Sequence, residues 1–109
     1  MDKLVSFGNK RTYEDFKKQI PILVQPHFDS IREFCLSLGK NVVEDVRMHR
    51  IVFGKSMTLR WFADVEPQND VIIITIQKNR KEPHQIVNIK LGDEITALKE
   101  FLKEAYERI

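Results

Sequence analysis

The sequence has a single cysteine, Cys35, among its 109 residues. One thiol excludes an internal disulfide and is typical of proteins kept in a reducing compartment. Long apolar runs are also missing: the longest, residues 71–74, is far below the roughly 20 residues of a membrane-spanning helix. The opening MDKLVSFGNKRTYED contains no run of signal-peptide length. We therefore expect a cytoplasmic protein with no membrane partner.

Neither sign of charge is in large excess, because 18 Lys and Arg residues face 16 Asp and Glu residues, for a net charge of +2. A chain so nearly neutral has no strong overall field to attract nucleic acid, so any such partner must be bound by a local patch. Glycine and proline are few, four of each, and 42% of the residues are hydrophobic. This composition indicates a globular protein, and its length predicts one domain over residues 1–109.

Three stretches have the apolar spacing of helices. In TYEDFKKQI three apolar side chains share one helical face, and Thr12 can cap the backbone N–H groups at its start. A second helix is predicted from Pro26, which suits a first helical turn, to a left-handed stop at Gly39. The third follows Asp93, the predicted cap, and continues to the end of the sequence.

Between the second and third helices the apolar period falls from about 3.6 to 2, which indicates strands. The four predicted strands are residues 46–53, 57–65, 71–77 and 85–91. Their connections are short enough to join only antiparallel neighbours. We therefore predict a two-layer α+β domain of order ααββββα, in which helices cover one face of a four-stranded antiparallel meander sheet.

Strict alternation divides this sheet into an apolar face and a polar face. The side chains predicted to meet the helices are Leu59, Trp61, Ala63, Ile72, Ile74, Ile76, Val87, Ile89 and Leu91. Trp61 is thus predicted to lie in the core, and its neighbour Phe62 must then point the other way, together with Arg60 and Asp64. Phe53 is placed on the same side, although MHRIVF in the first strand is compatible with either phase if it contains a bulge.

The polar face is predicted to be the binding surface. Cationic side chains interleaved with aromatic rings are typical of sheets that bind single-stranded nucleic acid, because rings stack on bases while cations meet phosphates. The residues predicted to contact nucleic acid are Arg47, Arg60, Phe62, Lys78, Arg80, Lys81 and Lys90. An ordinary solvated sheet face would show a similar mixture, so this alternative stays open.

Two further functions are compatible with the same pattern. Helices that stand off the sheet would leave an apolar pocket for a small ligand near Phe34, Trp61 and Phe101. In the second alternative, the polar face pairs with its twofold copy in a homo-oligomer. Each alternative predicts a different observable: a cavity in the core for the first, and a mass above that of the monomer for the second.

Motifs that would indicate catalysis or a cofactor are missing. GKS at 54–56 resembles the end of a phosphate-binding loop, but the required earlier glycine is replaced by His49. His27, His49 and His84 are too scattered for a metal site. Cys35, on an apolar helical stripe, is expected to behave as a small hydrophobe. We predict a non-enzymatic domain with no cofactor and no metal.

The segments FDSIREFCLSLG, VRMHRIVF and FADVEPQNDVIIITI resemble a small prokaryotic domain of unknown function. That domain occurs alone or at the C-terminal end of larger proteins, some of which carry endonuclease-like modules. The resemblance covers residues 28–80 and rests on Phe53, Phe62 and Pro67. It implies an accessory binding module in proteins that act on nucleic acid, and it implies no catalytic residue.

Overall fold

The computed structural model describes residues 11–56, 58, 60–79 and 81–109. The predictions made for Leu59 and Arg80 therefore lie outside the described residues. The helices are α1 (Tyr13–Lys17), α2 (Gln25–Ser37) and α3 (Thr96–Arg108), with a short 3-10 turn at Ile22–Val24. The strands are β1 (Val42–Val46), β2 (Ile51–Lys55), β3 (Arg60–Gln68), β4 (Val71–Ile76) and β5 (Gln85–Lys90).

The predicted α+β architecture with an antiparallel meander is confirmed, but the sheet has five strands in the order β1-β2-β3-β4-β5. The prediction of four strands was wrong because residues 46–53 do not form one strand. They contain a tight turn in which the Arg47 N–H donates to the Arg50 carbonyl at 2.8 Å. The charged pair Glu44 and Asp45 belongs to β1, a strand that the sequence did not predict.

The core lies between the helices and one face of the sheet, which we call the inner face; the opposite face is the outer face. The isoleucines of β4 were predicted to point inward, and this is confirmed, since Ile72, Ile74 and Ile76 are buried. Across the ladder, Ile74 pairs with Val65 and Ile76 with Ala63, which are also buried. Burying an aliphatic side chain of this size contributes about 1.5–3 kcal/mol, so this strand anchors the helix layer.

Each helix supplies a buried apolar stripe to that core. The buried helical side chains are Tyr13, Phe16, Phe28, Ile31, Cys35, Leu98, Leu102 and Ala105. Cys35 is a small core residue, as expected, and burial raises the pKa of its thiol. Leu91 was wrongly predicted to be buried: it follows the end of β5 and is 57% exposed.

The helix ends confirm one predicted cap and correct two other predictions. The Thr12 hydroxyl accepts from the Asp15 N–H at 3.2 Å, as predicted. Asp93 does not cap α3, which begins three residues later at Thr96. Gly39 is not left-handed; it is required because the Tyr106 hydroxyl occupies the space in which a side chain there would begin. The end of α2 thus packs directly against the last turns of α3.

A polar network fastens the first two helices to β1. The Tyr13 hydroxyl and the Lys17 ammonium bind the two carboxylate oxygens of Asp29 at 2.5 and 2.8 Å. Arg32 makes two hydrogen bonds to Glu44, and its guanidinium lies 4.2 Å from the centre of the Tyr13 ring. Burial alone would raise the pKa of Asp29, but the bonds from Lys17 and Tyr13 outweigh it and lower that pKa.

Candidate nucleic-acid interface

A β-bulge in β3 determines which aromatic ring faces outward. Phe53 of β2 pairs with Ala63, but the next residue, Gly54, pairs with Trp61, so Phe62 has no partner across the ladder. Because the extra residue interrupts the alternation, Phe62 and Ala63 both point to the inner face and Trp61 is turned to the outer face. The predicted orientation of Trp61 and Phe62 was wrong for this reason.

Phe62 is fully buried and cannot contact a partner. Its ring lies against the Tyr106 ring of α3, with the centroids 5.5 Å apart and the planes at 77°. This edge-to-face geometry is a favourable aromatic contact. Phe53, also predicted to point outward, is buried on the inner face as well. The candidate surface therefore loses both phenylalanines.

Trp61 takes the place of Phe62 on the outer face. Its ring meets the His84 ring edge-on, with centroids 5.1 Å apart. The Gln77 side-chain amide donates to the Trp61 carbonyl, and the Gln77 N–H donates to the Phe62 carbonyl, both at 3.0 Å. Gln77 therefore bonds to both residues at the bulge. Val52 on β2, which also lies on the outer face, is only 8% exposed.

A concavity of about 250 Å³ lies beside Trp61, and we call it the Trp61 concavity. Gly54 and Val52 form its floor because glycine leaves a gap in the outer face, and Val43 and Trp61 stand on either side of that gap. The remaining lining residues are Asp45, Arg47, Lys55, Ser56 and Arg60. An aromatic wall, an aliphatic floor and a mostly cationic rim thus occur together.

Substitution of Gly54 by alanine should destabilise the fold at the floor of this concavity. A Cβ atom there would lie 2.8 Å from the Arg60 carbonyl oxygen and 3.3 Å from the Trp61 Cα, both backbone atoms. We expect Gly54→Ala to lower the free energy of unfolding by about 1–3 kcal/mol, the usual cost of overpacking. Urea denaturation followed by circular dichroism measures this, and Ser56→Ala on the exposed rim is the control. A Gly54→Ala chain as stable as the native chain would contradict the bulge geometry.

A second concavity, of about 400 Å³, is lined by Arg60, Asn79, Lys81 and Glu82, and we call it the Asn79 concavity. The Asn79 side-chain oxygen accepts from the N–H groups of Lys81 and Glu82 at 2.8 and 2.9 Å, which holds this loop in shape. Arg108 binds the Glu82 carboxylate at 3.1 Å and offsets its charge. Arg60 lines both concavities, so they adjoin at this residue, which pairs in the ladder with Lys55.

The remaining predicted contact residues are dispersed. Arg47 lies on the rim of the Trp61 concavity, 3.0 Å from the Asp45 carboxylate. Lys78 is directed to α3, where it pairs with Glu104 at 3.2 Å. Lys90 pairs with Val71 at the opposite end of the sheet. Only Arg47, Arg60 and Lys81 of the predicted cations are therefore placed around the two concavities in the described part of the chain.

Lys55 and Gly54 were missed because GKS was interpreted only as a turn. Both residues belong to β2, and the Lys55 ammonium lies 4.4 Å from the centre of the Tyr106 ring, so it approaches the rim from the helix side. A glycine inside a strand pattern often marks a bulge, and this was the one available signal.

Acidic side chains limit the cationic surface to one end of the outer face. Arg50 bridges Asp64 at 3.0 Å and Glu66 at 3.1 Å, across β2 and β3. This cluster carries more negative than positive charge and lies in the middle of the face, beside Val52 and Thr75. The end of the sheet that holds Trp61, Arg60 and the Asn79 concavity lies outside this acidic cluster, and we call it the Trp61 end.

The alternative ligand pocket is not assembled. Phe34 on α2 and Phe101 on α3 are partly buried within the helix layer. Trp61 lies on the outer face, so the sheet separates it from both phenylalanines. These three side chains therefore do not line a common cavity.

Searches of protein-family models, curated proteins and solved structures found no match for this chain. The resemblance to a small prokaryotic domain accordingly stays a prediction. Within the described ranges no three potential metal ligands come together, and no helix is long and apolar enough to cross a membrane.

Proposed function

We propose that this domain is a non-enzymatic binding module that takes up single-stranded nucleic acid at the Trp61 end of the outer face. The observation that carries the proposal is the Trp61 concavity. Its lining includes the Trp61 indole, the backbone of Gly54, and the cationic residues Arg47 and Arg60. A base stacked on the indole would place its phosphates near these guanidinium groups.

The size of the concavity favours part of an extended ligand over a complete small molecule. Pockets that enclose a small ligand usually measure about 300–1,000 Å³, whereas this one is about 250 Å³ and open to the outer face. A single base can occupy such a site while the rest of the strand continues along the surface.

The Asn79 concavity indicates the path that a bound nucleic-acid strand would follow from Trp61. Arg60 lines both concavities, and Lys81 lies on the far side of the second one. A backbone running from Trp61 past Arg60 to Lys81 would meet two cations in succession, while the Arg50, Asp64 and Glu66 cluster would repel it from the middle of the sheet.

Binding of a labelled oligonucleotide tests this function. We expect a fluorescein-labelled oligodeoxythymidylate of about 12 nucleotides to gain anisotropy when titrated with the protein at low salt. Two or three neutralised phosphates give a slope of about −1.4 to −2.1 for log affinity against log salt, so affinity should fall about 10-fold between 50 and 200 mM.

The control is a matched charge variant. Arg60→Ala should flatten the salt slope by about 0.7, the share of one phosphate, whereas Lys90→Ala, at the opposite end of the sheet, should leave the slope unchanged. Absence of any anisotropy change at 50 mM salt with on the order of 100 μM protein would overturn the proposal, as would equal effects of the two variants.

A further inference from the structure

At the edge of β5 that faces away from β4, the last residue of the strand is hydrogen-bonded to the turn that follows it. The Lys90 N–H donates to the Asp93 carboxylate at 2.9 Å, and the Asp93 N–H donates to the Lys90 carbonyl at 3.0 Å. Both backbone groups of Lys90 therefore point away from β4. Because these groups alternate in direction along an antiparallel strand, those of Ile86 and Asn88 point the same way as those of Lys90.

Ile86 and Asn88 thus present two N–H groups and two carbonyls at the edge of the sheet. No residue in the described part of the chain pairs with this side of β5, which is the last strand in the sheet order. The Ile86 side chain is 65% exposed. An exposed edge strand with unpaired backbone groups is a template for a further strand.

We propose that this edge pairs with β5 of a second copy of the chain, in antiparallel orientation about a twofold axis at Val87. Ile86 then lies opposite Asn88 of the second copy, and four backbone hydrogen bonds join the two edges. The ladder stops there on both sides, because the next pair at each end would join residue 84 to Lys90, whose backbone groups Asp93 has already taken.

Charge complementarity favours a second copy over an unrelated strand. Antiparallel pairing sets the start of each β5 beside the end of the other. The start is flanked by Lys81, where Arg108 offsets the charge of Glu82, and the end is followed by the exposed carboxylates of Asp93 and Glu94. Opposite charges therefore meet at both ends of the twofold arrangement.

The dimer should be weak. Four hydrogen bonds and one exposed isoleucine per chain form an interface well below the about 1,200–2,000 Å² of a stable complex. We expect a dissociation constant on the order of 100 μM. The helices lie on the inner face and Trp61 lies on the outer face, so the joined sheet would leave the Trp61 concavity of each copy open.

Sedimentation equilibrium across a range of concentrations, together with amide exchange by NMR, tests the pairing. We expect the average mass to rise toward twice that of the monomer, and exchange at Ile86 and Asn88 to slow as the concentration rises. Asn88→Pro removes an outward N–H that the β4 ladder does not use, so the fold should tolerate it while the dimer is lost. Ile86→Lys should abolish the dimer independently by adding an edge charge.

Asn88→Ala keeps the N–H and is the matched control, which should dimerise as the native chain does. Thermal melting by circular dichroism verifies that each variant is folded. A monomeric mass up to about ten times the expected dissociation constant would overturn the proposal. So would a dimer that persists in Asn88→Pro and Ile86→Lys, or protection of the two amides that does not change with concentration, which would place another segment of the same chain on this edge.

Discussion

Phe62→Ala should lower the free energy of unfolding by about 3–5 kcal/mol, whereas Trp61→Ala should lower it by about 1 kcal/mol. The reason is the bulge in β3, which packs the fully buried Phe62 ring against Tyr106 and leaves Trp61 on the outer face. In a regular strand the tryptophan would be the core residue and the order of the two effects would be reversed. Urea denaturation followed by far-UV circular dichroism measures both values without relying on the indole.

Phe62→Leu is the appropriate control for this comparison. It keeps an apolar side chain of similar volume, so it should cost less than about 1.5 kcal/mol, while losing the edge-to-face contact with Tyr106. A larger loss of stability in Trp61→Ala than in Phe62→Ala would show that the indole, and not the phenyl ring, fills the core. The candidate interface would then have no aromatic platform.

Trp61→Ala should weaken oligonucleotide binding by about 1–3 kcal/mol, or about 5- to 150-fold, which is the measured range for one stacked base. Trp61 is the single tryptophan of the chain, so its fluorescence reports on the site without a label. We expect saturating oligodeoxythymidylate to quench this fluorescence in the native protein. Fluorescence anisotropy of a labelled oligonucleotide measures the affinity of the variants.

Trp61→Phe distinguishes stacking from general effects on the surface. A phenyl ring still stacks, so this variant should retain most of the affinity that Trp61→Ala loses. Phe62→Leu, which alters the inner face, should bind as the native protein does. Equal affinities for Trp61→Ala and the native chain, under conditions in which the native chain binds, would remove the indole from the interface and leave a purely electrostatic contact.

The periodicity of the sequence predicted the fold class but not every strand. β4 was predictable because Ile72, Ile74 and Ile76 alternate without interruption and a tight turn precedes them. The β1–β2 hairpin was missed because its turn, RMHR at 47–50, contains no Gly, Pro, Asn or Asp, the usual turn residues. Glu44 also obscured β1, since its charge on the inner face is satisfied by Arg32, a contact distant in sequence.

The candidate site was less predictable. One extra residue in a strand moves all the side chains that follow it on that strand to the opposite face of the sheet. Alternation placed Trp61 inside and Phe62 outside, and the structure exchanges them. The choice depends on two facts that a single sequence does not display: the close approach of the β3 backbone to Gly54 and the Tyr106 ring that receives Phe62. Lys81 is exposed, as long charged side chains usually are. Arg60 is half-buried and pairs with Lys55, because the bulge shifts it together with Trp61.

Tyr106 connects α3 to the bulge that turns Trp61 to the outer face. Its ring contacts Phe62 and lies beneath the Lys55 ammonium, and its hydroxyl fills the space at Gly39. Fraying of the last turns of α3 would remove the Tyr106 ring from Phe62, the extra residue of the bulge that turns Trp61 to the outer face. If Trp61 binds a base as proposed, ligand binding and docking of α3 would be thermodynamically linked, and each would strengthen the other by the same factor.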